Sequence, residues 1–126
     1  MYLNDIDLMT SAYKLLYRME TYLKQGIDKV LSKTHGVNWQ FILRVNRDID
    51  NLYLSDIIGY YGKYQELTTI FSDSQRTELY HLVSIRNKVA HMKLISTNEY
   101  EALEKCFYLV EEKLSSILSV NVDSHN

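Results

Sequence analysis

At 126 residues the chain fits one domain, long enough for a single real core. Its composition, 46% hydrophobic and 24% charged, is ordinary for a globular protein in water. A net charge of -2 excludes a protein that coats nucleic acid by charge alone, so any polyanion site must be local.

The single cysteine, Cys106, excludes an internal disulfide and offers no metal-ligand spacing. No apolar run approaches the length of a spanning helix, so no membrane partner is expected. The opening MYLNDIDLMTS is acidic where a secretory leader is basic, and the chain is read as cytoplasmic. There is no proline and there are only four glycines, which suits long helices joined by short polar connections.

In chain order, Ile6, Met9, Tyr13, Leu16, Met19, Leu23, Ile27 and Val30 recur at steps of three and four. They predict an amphipathic first helix of about 25 residues. SKTHG ends it, with Gly36 suited to a left-handed turn. Asn38 can cap a second helix carrying Trp39, Phe41, Ile42, Val45 and Ile49. DNLYLSD reads as a joint, followed by a helix around Ile57, Ile58, Tyr61 and Tyr64. FSDSQ has capping-box spacing between Ser72 and Gln75, opening a helix through Leu79, Leu82, Val83 and Ala90 to the region of His91. STNE repeats the device with Ser96 and Glu99. The final helix carries Tyr100, Leu103, Phe107, Val110, Leu114 and Ile117.

The expected fold is thus all-α, a single-domain bundle of four main helices plus a short one over residues 1–119, with 120–126 as a flexible tail. Most of the eleven tyrosines, at helical spacings such as Tyr13 with Tyr17 and Tyr60 with Tyr64, read as core or rim residues; nucleobase stacking is the alternative for some.

Chemistry is concentrated in VSIRNKVAHMK, residues 83–93. At about 100° per residue, Arg86 falls within roughly 60° of Leu79, in the apolar stripe with Leu82, Val83 and Ala90. Asn87 and His91 share a second face with Tyr80 and Ser84, and Lys88 points to solvent. The structural alternative is that Arg86 pairs with Asp56 or Glu66 and that Lys88, His91 and Lys93 answer the helix dipole. Against it stands the cost of placing a cation in the stripe, several kcal/mol unless it is paired. From Arg76 to Lys93 the net charge is +3, and from Ser96 onward it is -4.

Arg86-Asn87-Lys88-Val89-Ala90-His91 resembles the R-x(4–6)-H motif of HEPN domains in its R-N-x-x-x-H form. The long first helix, YLSDII at residues 53–58 and the capped STNEYEALEKCF helix are similar to what surrounds that motif in the family. The resemblance implies an HEPN-like homodimer in which two copies of the motif face each other. In active members that paired site is a metal-independent endoribonuclease, often a toxin or an anti-phage defence effector. An antitoxin or regulatory protein is then an implied partner. Other members are catalytically inactive modules for dimerisation and for RNA or protein binding. One toxin branch carries H-x-Y, whose tyrosine is modified by an antitoxin; this chain reads His91-Met92-Lys93 and lacks it.

RNA carries its own nucleophile, the 2′-hydroxyl, so the protein need supply only proton transfer and positive charge. Histidine suits the first, with an ordinary pKa of about 6.5, and arginine's planar fork suits the phosphate. His91 and Arg86 are therefore the expected catalytic residues, with Asn87 orienting His91 or donating to a phosphate oxygen. Lys88, Lys93, Tyr80 and Ser84 are the expected RNA-binding neighbours. Neither a metal nor another cofactor is required. The products would be a 2′,3′-cyclic phosphate and a 5′-hydroxyl. On one helix Arg86 and His91 diverge by roughly 140°, so the mechanism demands a second copy.

Overall fold

The computed structural model describes residues 4–45 and 48–123, with side chains as far as residue 118. It is all-helical among the described residues: α1 Asp5–His35, α2 Trp39–Ile42, α3 Leu54–Lys63, α4 Asp73–Ala90 and α5 Thr97–Asp123, with a 3-10 turn at Ile49–Asn51. Four substantial helices and a short one match the architecture expected from the periodicity.

The capping signals work as written. The Ser72 hydroxyl accepts from the Gln75 amide at 3.2 Å while Gln75 accepts from the Ser72 amide at 2.8 Å. Ser96 and Glu99 repeat the exchange at 3.1 and 2.8 Å. Asn4 caps α1 through the Asp7 amide, and Gly36, at φ +89°, ends it. The α5 backbone stays helical to Asp123, into the stretch expected as a tail; residues 124–126 lie outside the described residues.

The second helix differs most from expectation. Only Trp39 of its expected apolar series is buried, and its indole donates to Asp28 at 2.8 Å. Phe41 and Ile42 are exposed, and Arg44 adopts φ +56°. The Arg44 and Val45 amides then close onto the carbonyls of Phe41 and Gln40, a Schellman ending. Trp39 anchors the chain against α1, and the chain beyond must return to it: Ile49 donates to the Gln40 side chain, and Lys24 of α1 reaches the Asp50 carbonyl. A longer helix would carry these groups away.

The core is formed mainly by α1 on α5, joined by α3 and α4. Leu16, Met19, Leu23, Ile27 and Leu31 face Leu103, Phe107, Val110 and Leu114 within one buried cluster. Where α3 crosses α1, Gly26 makes room for Tyr61, whose hydroxyl donates to the Leu23 carbonyl at 2.7 Å. A Cβ on Gly26 would lie 2.5 Å from that oxygen. At the far end His35 pairs with Glu66 at 2.5 Å, tying the end of α1 to the connection after α3.

Two parts of the expected core lie elsewhere. Ile6 and Tyr13 are exposed and Met9 only partly buried, so the apolar stripe of α1 runs on past the edge of the bundle. On α4 the buried residues are Leu79, Leu82 and Ile85, while Val83 is half-buried and Ala90 exposed. The buried arc is rotated toward Ile85.

Candidate functional site

The last turns of α4 carry the site residues, and their surroundings fix where each side chain goes. Arg86 lies within the apolar arc of α4 but near the end of the core, where its side chain meets α1. Its Nε is 3.7 Å from Glu20 Oε2, with 36% of the Arg86 side chain exposed. That separation makes an ion pair rather than a hydrogen bond. The partner is Glu20, not the Asp56 or Glu66 considered from sequence.

Arg86 forms one wall of a groove of about 440 Å³ between α1 and α4. The opposite wall is the outer edge of α1: Tyr13, Tyr17, Glu20, Thr21 and Lys24. Lys24 is held at the rim by its bond to the Asp50 carbonyl at 3.2 Å. The groove therefore presents two cations, one carboxylate and two aromatic rings to solvent.

Glu20 and Lys24 were not legible as site residues. Their i, i+4 spacing on a long helix reads as a surface ion pair, and only the packing of α4 across α1 brings Arg86 between them.

The second face of α4 holds the rest. Tyr80, Ser84, Asn87 and His91 are all exposed. His91 is the C-cap residue, and its amide donates to the Asn87 carbonyl at 3.0 Å. The Ser84 hydroxyl donates to the His81 carbonyl at 3.3 Å. Tyr80 leans over α3, its hydroxyl 3.4 Å from where a Cβ on Gly59 would lie. His91 does not line the Arg86 groove, so one protomer keeps imidazole and guanidinium on separate faces.

Lys88 is not free in solvent. Its Nζ lies 2.7 Å from Glu99 Oε2, while Oε1 of the same carboxylate caps α5. The Lys88 ammonium, and then the Ser96 amide, hold the Glu99 carboxyl below its ordinary 4.5. One carboxylate thus clamps both sides of the turn that carries His91, Met92 and Lys93. Lys93 is exposed.

That turn is a Schellman ending built on the wrong residue. The Met92 and Lys93 amides bond the carbonyls of Val89 and Lys88 at 3.0 and 2.7 Å, with Met92 at φ +59° where glycine is usual. Met92 is also 89% exposed. A methionine here pays twice, in backbone strain and in apolar exposure.

It does not stand alone. Met92, Leu94, Val89, Ile6, Met9 and Tyr13 line an open apolar hollow of about 880 Å³, which continues into the Arg86 groove through Tyr13, Tyr17 and Val89. Exposed apolar surface that is contiguous, rather than scattered, marks an interaction face.

Among the described residues, no three His, Cys, Asp or Glu side chains cluster as a cation site requires, and no helix is long and apolar enough to cross a membrane. No family model matches the chain, and no curated protein or solved structure matches it.

Proposed function

We propose that the protein is a metal-independent endoribonuclease of HEPN type that works as a homodimer. The observation that carries this reading is the placement of Arg86: a guanidinium in an open groove, held by a single long ion pair, beside an apolar hollow on the same face. A purely structural arginine would be closed off by its carboxylate. This one keeps donors available for a phosphate.

Two copies meeting over the Ile6, Met92 and Leu94 end of the hollow would bring each His91 turn toward the partner's groove and leave Tyr13 and Tyr17, where the hollow joins the groove, open. His91 then takes the 2′-hydroxyl proton or protonates the leaving 5′-oxygen, and Arg86 stabilises the charge on the phosphorane. Asn87, one turn before His91, orients the imidazole or donates to a non-bridging oxygen. Lys24 adds positive charge to the groove, which the sequence did not suggest. A cytoplasmic toxin or anti-phage effector, restrained by an antitoxin or regulatory protein, is the setting that fits.

The test is incubation of purified protein with RNA in EDTA, beside Arg86→Ala and His91→Ala. Cleavage leaving 2′,3′-cyclic phosphate ends is expected, falling by about 100-fold or more in each variant. A wild-type protein with no cleavage, or folded variants that cut as well as wild type, overturns the reading. The separation of Arg86 from His91 within one protomer favours a second reading, a catalytically inactive dimeric module that binds RNA or protein. RNA binding without any cleavage would select it.

A further inference from the structure

The groove holds more than the phosphate chemistry uses. Tyr13 and Tyr17 stand one turn apart on α1 with ring centroids 6.4 Å apart and planes inclined by 31°. Tyr17 is 64% exposed, although a tyrosine ring on a bundle surface normally lies flat over its neighbours. Both rings border the wall that carries Glu20, Thr21 and Lys24, facing Arg86. Along α1, Tyr17 and Lys24 are seven residues apart, about 10 Å of helix rise. Aromatic faces beside cations in one groove are what a single strand needs, because each nucleotide offers one flat base and one phosphate.

We infer that Tyr17, with Tyr13 one turn before it, is a stacking platform for a base of single-stranded RNA whose phosphate lies against Arg86 and Lys24. This rests on the RNA-cleaving reading of the groove and adds a base subsite to it. Stacking is indifferent to base identity, so the platform selects for unpaired strands rather than for a sequence. A duplex, whose bases are stacked on one another, cannot offer a face to Tyr17. Glu20 on the same wall disfavours a second phosphate beside Arg86, so the backbone is held at one point and the adjoining base is what the tyrosines grip.

The test uses the whole chain and a short unstructured oligonucleotide of 2′-O-methyl RNA, which lacks the attacking hydroxyl and stays intact, beside the same backbone without bases. Wild type is expected to bind the base-bearing strand about tenfold more tightly than the abasic one, and Tyr17→Leu to lose that margin while Tyr17→Phe keeps it. In cleavage of ordinary RNA, Tyr17→Leu should raise KM with kcat held. Equal binding of both strands by wild type overturns the platform yet leaves the phosphate reading standing, provided that Arg86→Ala weakens both. No binding to either strand overturns the platform and the groove reading together. A change of oligomeric state in Tyr17→Leu, read by light scattering, makes the tyrosine face a protein contact and also overturns the inference.

Discussion

At Arg86 the proposed function asks for open donors, whereas stability alone would ask for a close pair. The pairing of Arg86 with Glu20 is long and solvent-accessible, and such pairs contribute at most about 1 kcal/mol. Arg86→Ala should therefore cost less than about 1 kcal/mol of stability in urea denaturation and, on the proposed ribonuclease reading, lower RNA cleavage about 100-fold or more. A loss of several kcal/mol would instead make the arginine a core element. Gly26 is the contrasting case, a residue with no chemical role and a large structural one. A Cβ there meets the Tyr61 hydroxyl and lies 3.2 Å from Leu114, so Gly26→Ala forces the Tyr61 ring to shift and Leu114 to give slightly. Chemical denaturation should show a loss of about 1–3 kcal/mol, because the tyrosine is fully buried and its hydroxyl is bonded to the Leu23 carbonyl. The position of Arg86 on its wheel was legible in the sequence; its partner was not, because Glu20 lies 66 residues away and only packing brings it near.

Among elements, the α4–α5 turn depends most on one side chain. Glu99 caps α5 with one oxygen and bonds Lys88 with the other, so Glu99→Ala removes a cap and an inter-helix tie together. The expected cost is about 1–2 kcal/mol by thermal unfolding and, on the proposed ribonuclease reading, cleavage falls because the His91 turn loses its clamp. The same carboxylate sets an acid limit. Glu99 is held below its ordinary 4.5 by Lys88 and the Ser96 amide, and Glu66 by its own backbone amide and by His35. A carboxyl whose pKa is lower folded than unfolded binds fewer protons in the folded state. Its contribution is complete above 4.5 and disappears as pH falls through the lowered values. Melting temperature should thus be flat near neutrality and fall on acidification below about pH 4.5, less steeply in Glu99→Ala. The capping boxes at Ser72 and Ser96 were readable because a cap is a local exchange over three residues. The second helix was misread because Phe41 and Ile42 have helical spacing but lie exposed, while Val45 and Ile49 pack against the core from outside that helix; burial, not periodicity, decides how far such a helix runs.

For the whole molecule, the informative feature is apolar surface that the protomer leaves uncovered. The stripe of α1 that begins at Ile6 is fully buried only from Ala12 onward, and Met92 and Leu94 extend the exposed part across the α4–α5 turn. Met92 tests this directly, since glycine would relieve its positive φ. Met92→Gly should make the chain about 1 kcal/mol more stable and, on the proposed homodimer reading, weaken self-association, read by light scattering against concentration. A variant that is stabilised with its association unchanged would exclude Met92 from the interface. What the amino-acid sequence determined by itself was the all-helical class, the two capped helix starts and the two faces of α4, because these follow from interactions within a few residues. Only the tertiary structure decided that α2 stops after one turn, that Lys88 is spent on Glu99, that Glu20 and Lys24 wall the Arg86 groove, and that Ile6 and Tyr13 of α1 stay exposed. Each of those outcomes depends on which helix lies across which, and helix packing is settled by surfaces far apart along the chain.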